Sequence, residues 1–290
     1  MEIIKIRPQG FCKGVVYAIK QLNDSIKDAK RPIYMYGSIV HNEHVVQAFR
    51  DLGVIQIDDF TNIKEGTIII TAHGLSNKKR EIIKNKNLNV IDTTCNEVKK
   101  IQDLLFLKEN DNYDIIYYGS INHPECKAIL EDHDDIHFIQ SINDIYKLNI
   151  NNDKILFASQ TTVSYLDLKL IEDLLKKKYK NIEIITDICT ATKQRQNALT
   201  DAASKCDMIL IIGDIHSNNT NQLKDIASKY TTSYLIENIE DIKNIDFTNI
   251  NTIGITAGAS TPNILVDEII KSIQDKNYIS NIRCEDYIKI

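Results

Sequence analysis

Three cysteines of this 290-residue chain stand where an apolar run gives way to a helical pattern. Cys12 follows Ile3–Ile6 and a short Arg-Pro-Gln-Gly turn, and precedes Gly14-Val15-Val16-Tyr17-Ala18-Ile19. Cys95 closes Ile91-Asp92-Thr93-Thr94-Cys95, and Cys189 follows Ile182–Ile188 and leads into a helical pattern from Thr192 to Ala203. They lie 83 and 94 residues apart (95 − 12 and 189 − 95), about one small domain each time. A helix N-terminus lowers a thiol's pKa, and the thiolate is the form that binds metal. Three such thiolates fit either a zinc ion completed by a histidine or a 4Fe–4S cluster with one iron open to substrate. The close Cys-x-x-Cys pairs usual for zinc do not occur, nor does the Cys-x-x-x-Cys-x-x-Cys run of radical enzymes. A lone nucleophilic cysteine and three plain buried thiols are the structural alternatives. Cys126, Cys206 and Cys284 lack the strand–cysteine–helix context, and Cys206 and Cys284 read as ordinary hydrophobes.

A second group of polar residues follows other β-branched runs. His41 comes after Gly37-Ser38-Ile39-Val40, His73 after Thr67–Thr71, and His123-Pro124-Glu125 after Asp114–Tyr118. Thr161 follows Lys154–Ala158, Ser217 and Asn219 follow Met208–Gly213, and Ser260 follows Thr252–Thr256. Singly, the Ser and Asn residues could be helix N-caps and each histidine a structural loop residue. Together they make a neutral-to-positive, donor-rich pocket that, with helix N-termini, suits phosphate or diphosphate. No P-loop and no Gly-rich nucleotide fingerprint is present. Against an apolar wall Glu125 could hold a proton at neutral pH and act as general acid. The other reading is a surface glutamate on a first helical turn, kept ionised by the dipole.

Positioning these residues requires short strands alternating with helices, and the chain supplies them. Candidate strands are Ile33–Gly37, Val54–Ile57, Thr67–Thr71 and Asn89–Ile91, then Asp114–Tyr118, Asp135–Ile139, Lys154–Ala158 and Ile182–Thr186. The last third offers Met208–Gly213, Ser233–Ile236 and Thr252–Thr256, and the N-terminal Ile3–Ile6 could complete that set. The expected fold is therefore α/β, with three similar domains, each a parallel-rich four-stranded sheet flanked by helices. In such sheets ligands bind beyond the carboxyl ends of the strands, where the cysteines, histidines and hydroxyls lie. The domains are expected at 13–96, 97–192 and 193–290, the third completed by 1–12. A hydrophobic content of 43%, a charged content of 26% and a formal net charge of −5 describe an ordinary globular protein without a basic field for nucleic acid. No apolar run approaches the roughly 18 residues of a membrane span, and the N-terminus lacks a signal peptide's apolar core, so a cytoplasmic location is expected.

The ordered motifs resemble the IspH (LytB) family of the non-mevalonate isoprenoid pathway. They run from Gly10-Phe11-Cys12-Lys13-Gly14-Val15 through Ile39-Val40-His41-Asn42, Ala72-His73-Gly74 and Asp92-Thr93-Thr94-Cys95. They continue with His123-Pro124-Glu125, Gln160-Thr161-Thr162, Asp187-Ile188-Cys189 with Ala191-Thr192, Ser217-x-Asn219, and Thr256-Ala257-Gly258-Ala259-Ser260-Thr261-Pro262. Each is weak alone; the ordered set is specific. The resemblance implies a pseudo-three-fold arrangement of the three domains around a central 4Fe–4S cluster. Cys12, Cys95 and Cys189 match its ligands, with one iron left open. It also implies diphosphate binding by His41, His73, His123, Ser217, Asn219 and Ser260, with Glu125 as proton donor and Thr161 and His123 beside it. The reaction implied is reduction of an allylic diphosphate, 4-hydroxy-3-methylbut-2-enyl diphosphate, to isopentenyl and dimethylallyl diphosphate. Ferredoxin or flavodoxin would supply the electrons, as the chain lacks a nicotinamide or flavin fingerprint.

Several positions depart from the family pattern. Asn96 stands for a proline, Gln102 for a histidine, Asn122 for a glycine and Thr190 for an aromatic residue. In the loop after Met208–Gly213, Asp214, His216 and Asn218 are all substitutions. Asn218 replaces a serine expected to contact the diphosphate, and an amide can still donate a hydrogen bond. Asp214 would add negative charge near the anion if it pointed inward.

Overall fold

The computed structural model describes residues 1–186, 189–275 and 277–290. The chain opens with β1 (Glu2–Lys5) and α1 (Lys13–Ser25), then β2 (Ile33–Tyr36), α2 (Glu43–Asp51), β3 (Val54–Ile57) and β4 (Thr67–Ile70). It continues with α3 (Asn77–Asn85), β5 (Asn89–Asp92), α4 (Asn96–Asn110), β6 (Asp114–Tyr118), α5 (Pro124–Asp132), β7 (His137–Ile139) and α6 (Ile142–Ile145). Next come β8 (Ile155–Ser159), α7 (Tyr165–Lys178), β9 (Ile182–Ile185), α8 (Thr190–Ala203), β10 (Met208–Ile212), α9 (Asn218–Ser228) and β11 (Thr232–Ile236). The last elements are α10 (Ile239–Ile242), β12 (Thr252–Ala257), α11 (Asn263–Gln274) and a 3₁₀ turn at Cys284–Ile288.

The strands form three four-stranded sheets, ordered β3-β2-β4-β5, β7-β6-β8-β9 and β11-β10-β12-β1. Every pairing is parallel. The three sheets share one topology: the first and third strands are central, and the second and fourth lie at the edges. The N-terminal β1 fills the fourth place of the last sheet, in register from Glu2 opposite Thr252 to Lys5 opposite Ile255. The third strands β4 and β8 are buried along their whole length, and β12 at every position after Thr252. This fits their runs of Ile, Leu, Phe and Ala, since a central parallel strand is covered by helices on both faces.

Several of the expected strands shift at their edges. The strand expected from Asp135 begins at His137, because pairing with β6 starts at Ile116 opposite His137. Those expected to reach Gly37 and Gly213 stop one residue earlier, because both glycines have positive φ, +75° and +152°. Among the described residues no helix is long and apolar enough to cross a membrane.

Polar side chains join the sheets at their seams. Asp132, the last residue of α5, accepts from the backbone N–H groups of Asn77 (2.7 Å) and Lys78 (3.1 Å) at the start of α3. Asp214 accepts from the N–H of Glu43 at the start of α2 (3.1 Å). Gln196 on α8 accepts from Tyr165 N–H (2.8 Å) at the start of α7 and donates to the Val163 carbonyl (3.0 Å). Each of these backbone N–H groups is a donor that a helix leaves free in its first turn.

Candidate functional site

The shared topology sets the site residues at equivalent places. Each first strand is followed by a glycine: Gly37, Gly119 or Gly213. Five residues past the ends of β2, β6 and β10 stand His41, His123 and Ser217. Two residues past the third strands stand Ala72, Thr161 and Ala259, and one further on His73, Thr162 and Ser260. The fourth strands lead to the cysteines. The backbone N–H of Cys95 donates to Ala72 O (3.0 Å), that of Cys189 to Thr161 O (3.3 Å) and that of Cys12 to Ala259 O (2.9 Å). One backbone bond, made three times, thus ties each cysteine to the strand end beside it.

All the expected site residues line one cavity: Cys12, Cys95, Cys189, His41, His73, His123, Glu125, Thr161, Ser217, Asn218, Asn219 and Ser260. Asp187 and Ile188, which precede the third cysteine, lie outside the described residues.

The three cysteines are unpaired and cap α1, α4 and α8, yet none uses its side chain to satisfy the helix end. Burial holds the Cys95 and Cys189 thiols above the ordinary range, opposed by backbone N–H groups of the following turn. Neighbouring thiols add to the rise, Cys12 acting on both. Among the described residues, the only three His, Cys, Asp or Glu donors within 4.8 Å of one another are His41, His73 and His123. The three cysteine sulfurs are not such a group, as they would be around a single zinc ion. Space is also kept for them: a Cβ on Gly14 would lie 2.6 Å from the Cys95 sulfur.

The histidine trio could hold either a cation or an anion, and the hydrogen bond at His123 favours the anion there. The ring centroids lie 4.2 Å apart for His41–His73, 5.4 Å for His41–His123 and 5.5 Å for His73–His123. His123 Nδ1 accepts from the backbone N–H of Glu125 (3.2 Å), so its proton sits on Nε2 as a donor. A metal would need that lone pair free; an anion needs the N–H. Burial lowers all three pKa values: His41 moderately, His73 strongly with help from the other two rings, and His123 to about 3. His73 also donates to the Ser38 carbonyl. Buried without a partner nearby are His41 Nε2 and both amide atoms of Asn219. Unpaired buried polar atoms are costly and mark a place built for a polar ligand. Ser217 caps α9 by accepting from Thr220 N–H (3.3 Å), and Ser260 donates to the His41 carbonyl (2.8 Å).

Glu125 is the buried acid, not the exposed first-turn residue, with 1% of its surface accessible. Thr161 donates to it twice, from N–H to Oε1 (3.0 Å) and from the hydroxyl to Oε2 (2.9 Å). Those bonds favour the carboxylate, but desolvation outweighs them and raises the pKa to about 7. Half-protonated near neutrality, it is matched to proton donation.

Sequence reasoning gave no role to several supporting residues. Tyr117 places its hydroxyl 3.4 Å from Glu125 Oε1, and Gln160 binds Ser120 N–H (2.9 Å), the Cys126 thiol (3.3 Å) and the Thr162 hydroxyl (2.7 Å). The buried Arg195 donates to the Gly10 and Ala191 carbonyls and lies close enough to Cys12 and Cys189 to feel their charge. An Arg at i+6 from a helix-capping cysteine was the available signal, because α8 is too buried to leave it solvated. Asp214 does not point into the cavity; its oxygens accept from Glu43 and His216 (2.7 Å) N–H groups.

The LytB protein family model matches residues 3–274. A protein of Lysinibacillus sphaericus named 4-hydroxy-3-methylbut-2-enyl diphosphate reductase is 41% identical over 281 residues, covering 93% of this chain and 87% of that protein. A Bacillus subtilis protein of the same name is 36% identical over 285 residues, covering 94% and 91%. Among solved structures, the E-1-hydroxy-2-methyl-but-2-enyl-4-diphosphate reductase of Plasmodium falciparum superposes with a TM-score of 0.91 at 34% identity, covering 95% of this chain and 89% of that one. A second reductase structure, described as the terminal enzyme of the non-mevalonate pathway, gives 0.67 at 30% identity, covering 94% and 99%. The family implies an iron–sulfur cluster, and the sheets, the cysteine trio and the ordered motifs agree with it: the chain belongs to the LytB family.

Proposed function

We propose that the chain is a 4-hydroxy-3-methylbut-2-enyl diphosphate reductase, removing the allylic hydroxyl reductively to give isopentenyl and dimethylallyl diphosphate. One observation carries this reading: a buried carboxyl poised near neutrality faces the same cavity as three converging cysteines and a histidine trio. The likeness, over more than nine-tenths of this chain, to proteins of that name supports it.

Cys12, Cys95 and Cys189 would hold one 4Fe–4S cluster, with no fourth cysteine among the described residues of the cavity wall. When bound, that cluster supplies two electrons in turn and an open iron as Lewis acid. Everything else falls to the chain's own residues. His41, His73, His123, Asn219, Ser217 and Ser260, with the N-terminus of α9, bind the diphosphate. Buried walls exclude water and strengthen each of these contacts. Glu125 holds the proton delivered to the departing hydroxyl, and Thr161 fixes the orientation of the carboxyl. Water leaves, and the two-electron-reduced allylic fragment takes up a second proton at either end.

Low-potential electrons would come from ferredoxin or flavodoxin, and six unpaired cysteines support a reducing, cytoplasmic setting. The domains would run 13–96, 97–192 and 193–290 with 1–12, in line with the three sheets.

The deciding experiment is iron and sulfide analysis of anaerobically purified protein, with turnover driven by a reduced low-potential donor. About four irons per chain, lost in Cys95→Ser, and electron-dependent consumption of the diphosphate are expected. Zinc, or consumption without electrons, would overturn the reading.

A further inference from the structure

The asparagine that stands for a serine at position 218 has a structural meaning. Asn218 is the first residue of α9, between Ser217 and Asn219, and it lines the cavity. Its Nδ2 donates to both the Thr162 carbonyl (2.9 Å) and the Thr162 hydroxyl (3.1 Å). The carbonyl can only accept, so the amide cannot be flipped. Both amide hydrogens are therefore committed, and the only free atom of the group is an acceptor oxygen. An acceptor repels a diphosphate oxygen. Asn219 is the opposite case, its amide buried and unpartnered.

Thr162 in turn belongs to the segment that carries the acid's partner. Gln160 donates to the same Thr162 hydroxyl (2.7 Å), and Thr161 between them makes both bonds to Glu125. Asn218 thus spans from the loop of the third sheet that meets the anion to the loop of the second that meets the acid. A serine could make neither reach, having one hydrogen and one bond less of length.

We propose that Asn218 is a positioning residue, not a diphosphate ligand: its amide clamps the Gln160–Thr162 segment to the anion loop and so holds Thr161 on Glu125. The assignment rests on the reductase reading above. Around Glu125 the other titratable groups are His123 and Cys126 on the same helix end, and Tyr117 on β6. Burial keeps the Cys126 thiol and the Tyr117 phenol protonated and His123 neutral at working pH, so none of them mimics its titration.

Asn218→Ala and Asn218→Ser test this on the cluster-loaded enzyme, by calorimetry with inorganic diphosphate and by kcat and KM across pH. Both variants should bind inorganic diphosphate within about two-fold of the parent and lose roughly ten- to a hundred-fold in kcat, the usual scale for a misplaced catalytic group. The alkaline limb of kcat should move to higher pH, because the Thr161 bonds that favour the carboxylate loosen. Diphosphate affinity that falls in Asn218→Ala and is restored in Asn218→Ser would identify a ligand and overturn the clamp. So would a kcat and pH profile unchanged in both variants. A parent enzyme that binds diphosphate but turns over no substrate would instead remove the reductase reading itself.

Discussion

Thr161 grips Glu125 with two donors, its hydroxyl 2.9 Å from one carboxyl oxygen and its backbone N–H 3.0 Å from the other. Both bonds favour the ionised form, yet burial prevails and the pKa stands at about 7. The carboxyl is thus locked in place without being locked into one charge state, as a group that must both give up and regain a proton requires. Glu125→Gln keeps the shape and loses the proton. Turnover should fall about 10²- to 10⁴-fold while iron content stays at the parent level. Near-normal turnover in this variant would remove Glu125 from the mechanism.

The same shift has a cost in stability whose sign can be worked out. With a folded pKa of about 7 against 4.5 unfolded, the folded state binds the extra proton between those values. Stability therefore falls as pH rises from about 4.5 to 7, by on the order of 3 kcal/mol, and is level above that window as far as Glu125 is concerned. Denaturant titrations of parent and Glu125→Gln apoprotein should diverge across this range, the variant lacking that component of the slope. Parallel profiles would place the carboxyl in a more polar setting.

The histidine trio is held neutral by burial, most strongly at His73 and His123. A bound diphosphate would offset that, raising the pKa of His41 and His73 toward and past neutrality while their free-state values stay low. Between the free and bound values binding takes up protons, so affinity rises as pH falls. Calorimetry of inorganic diphosphate binding in two buffers of different ionisation enthalpy should reveal uptake of a fraction of a proton or more at pH 7. Binding with no uptake would mean that His41 and His123 act as neutral donors and that His73, whose one N–H goes to Ser38, gives the anion none.

Asp214 was open to two readings in the sequence, and its place explains which holds. Pointed inward it would repel the anion; in the structure it caps α2 from another sheet and lends His41 a partial offset to desolvation. Asp214→Ala removes an N-terminal cap across a seam, and should cost about 1–2 kcal/mol in a denaturant melt. Asp214→Asn, which keeps one of the two acceptor oxygens, should recover about half of it. Equal losses in both variants would point to charge rather than capping.

What the sequence makes legible follows from how local each signal is. The strand–cysteine–helix junctions depend on neighbours along the chain, so Cys12, Cys95 and Cys189 could be singled out by pattern alone. Period and composition sufficed for twelve short strands, and the count of strands indicated that β1 completes the third sheet. Burial of Glu125 was not legible, because its wall is made by Tyr117 and Thr161, 8 and 36 residues away. The same holds for Asn218, whose partner Thr162 is 56 residues distant, and for Asp214, 171 residues from Glu43. Side-chain commitments across seams exist only once the sheets are assembled.

Gly14 lies on the first turn of α1 with ordinary helical backbone, so nothing in its own conformation calls for glycine. The requirement comes from its neighbour: a Cβ there would sit 2.6 Å from the Cys95 sulfur and 3.9 Å from that of Cys12. In the metal-free protein the Cys95 side chain can rotate away, and alanine would even favour the helix by about 1 kcal/mol. A sulfur committed to iron cannot turn, so the same methyl group would force a ligand off its position. Gly14→Ala should therefore leave the melting temperature of the apoprotein equal or higher while iron and sulfide content after anaerobic reconstitution drops well below the parent's. Full loading in this variant would show that Cys95 has room to coordinate from another rotamer, and that the glycine serves only the approach of substrate.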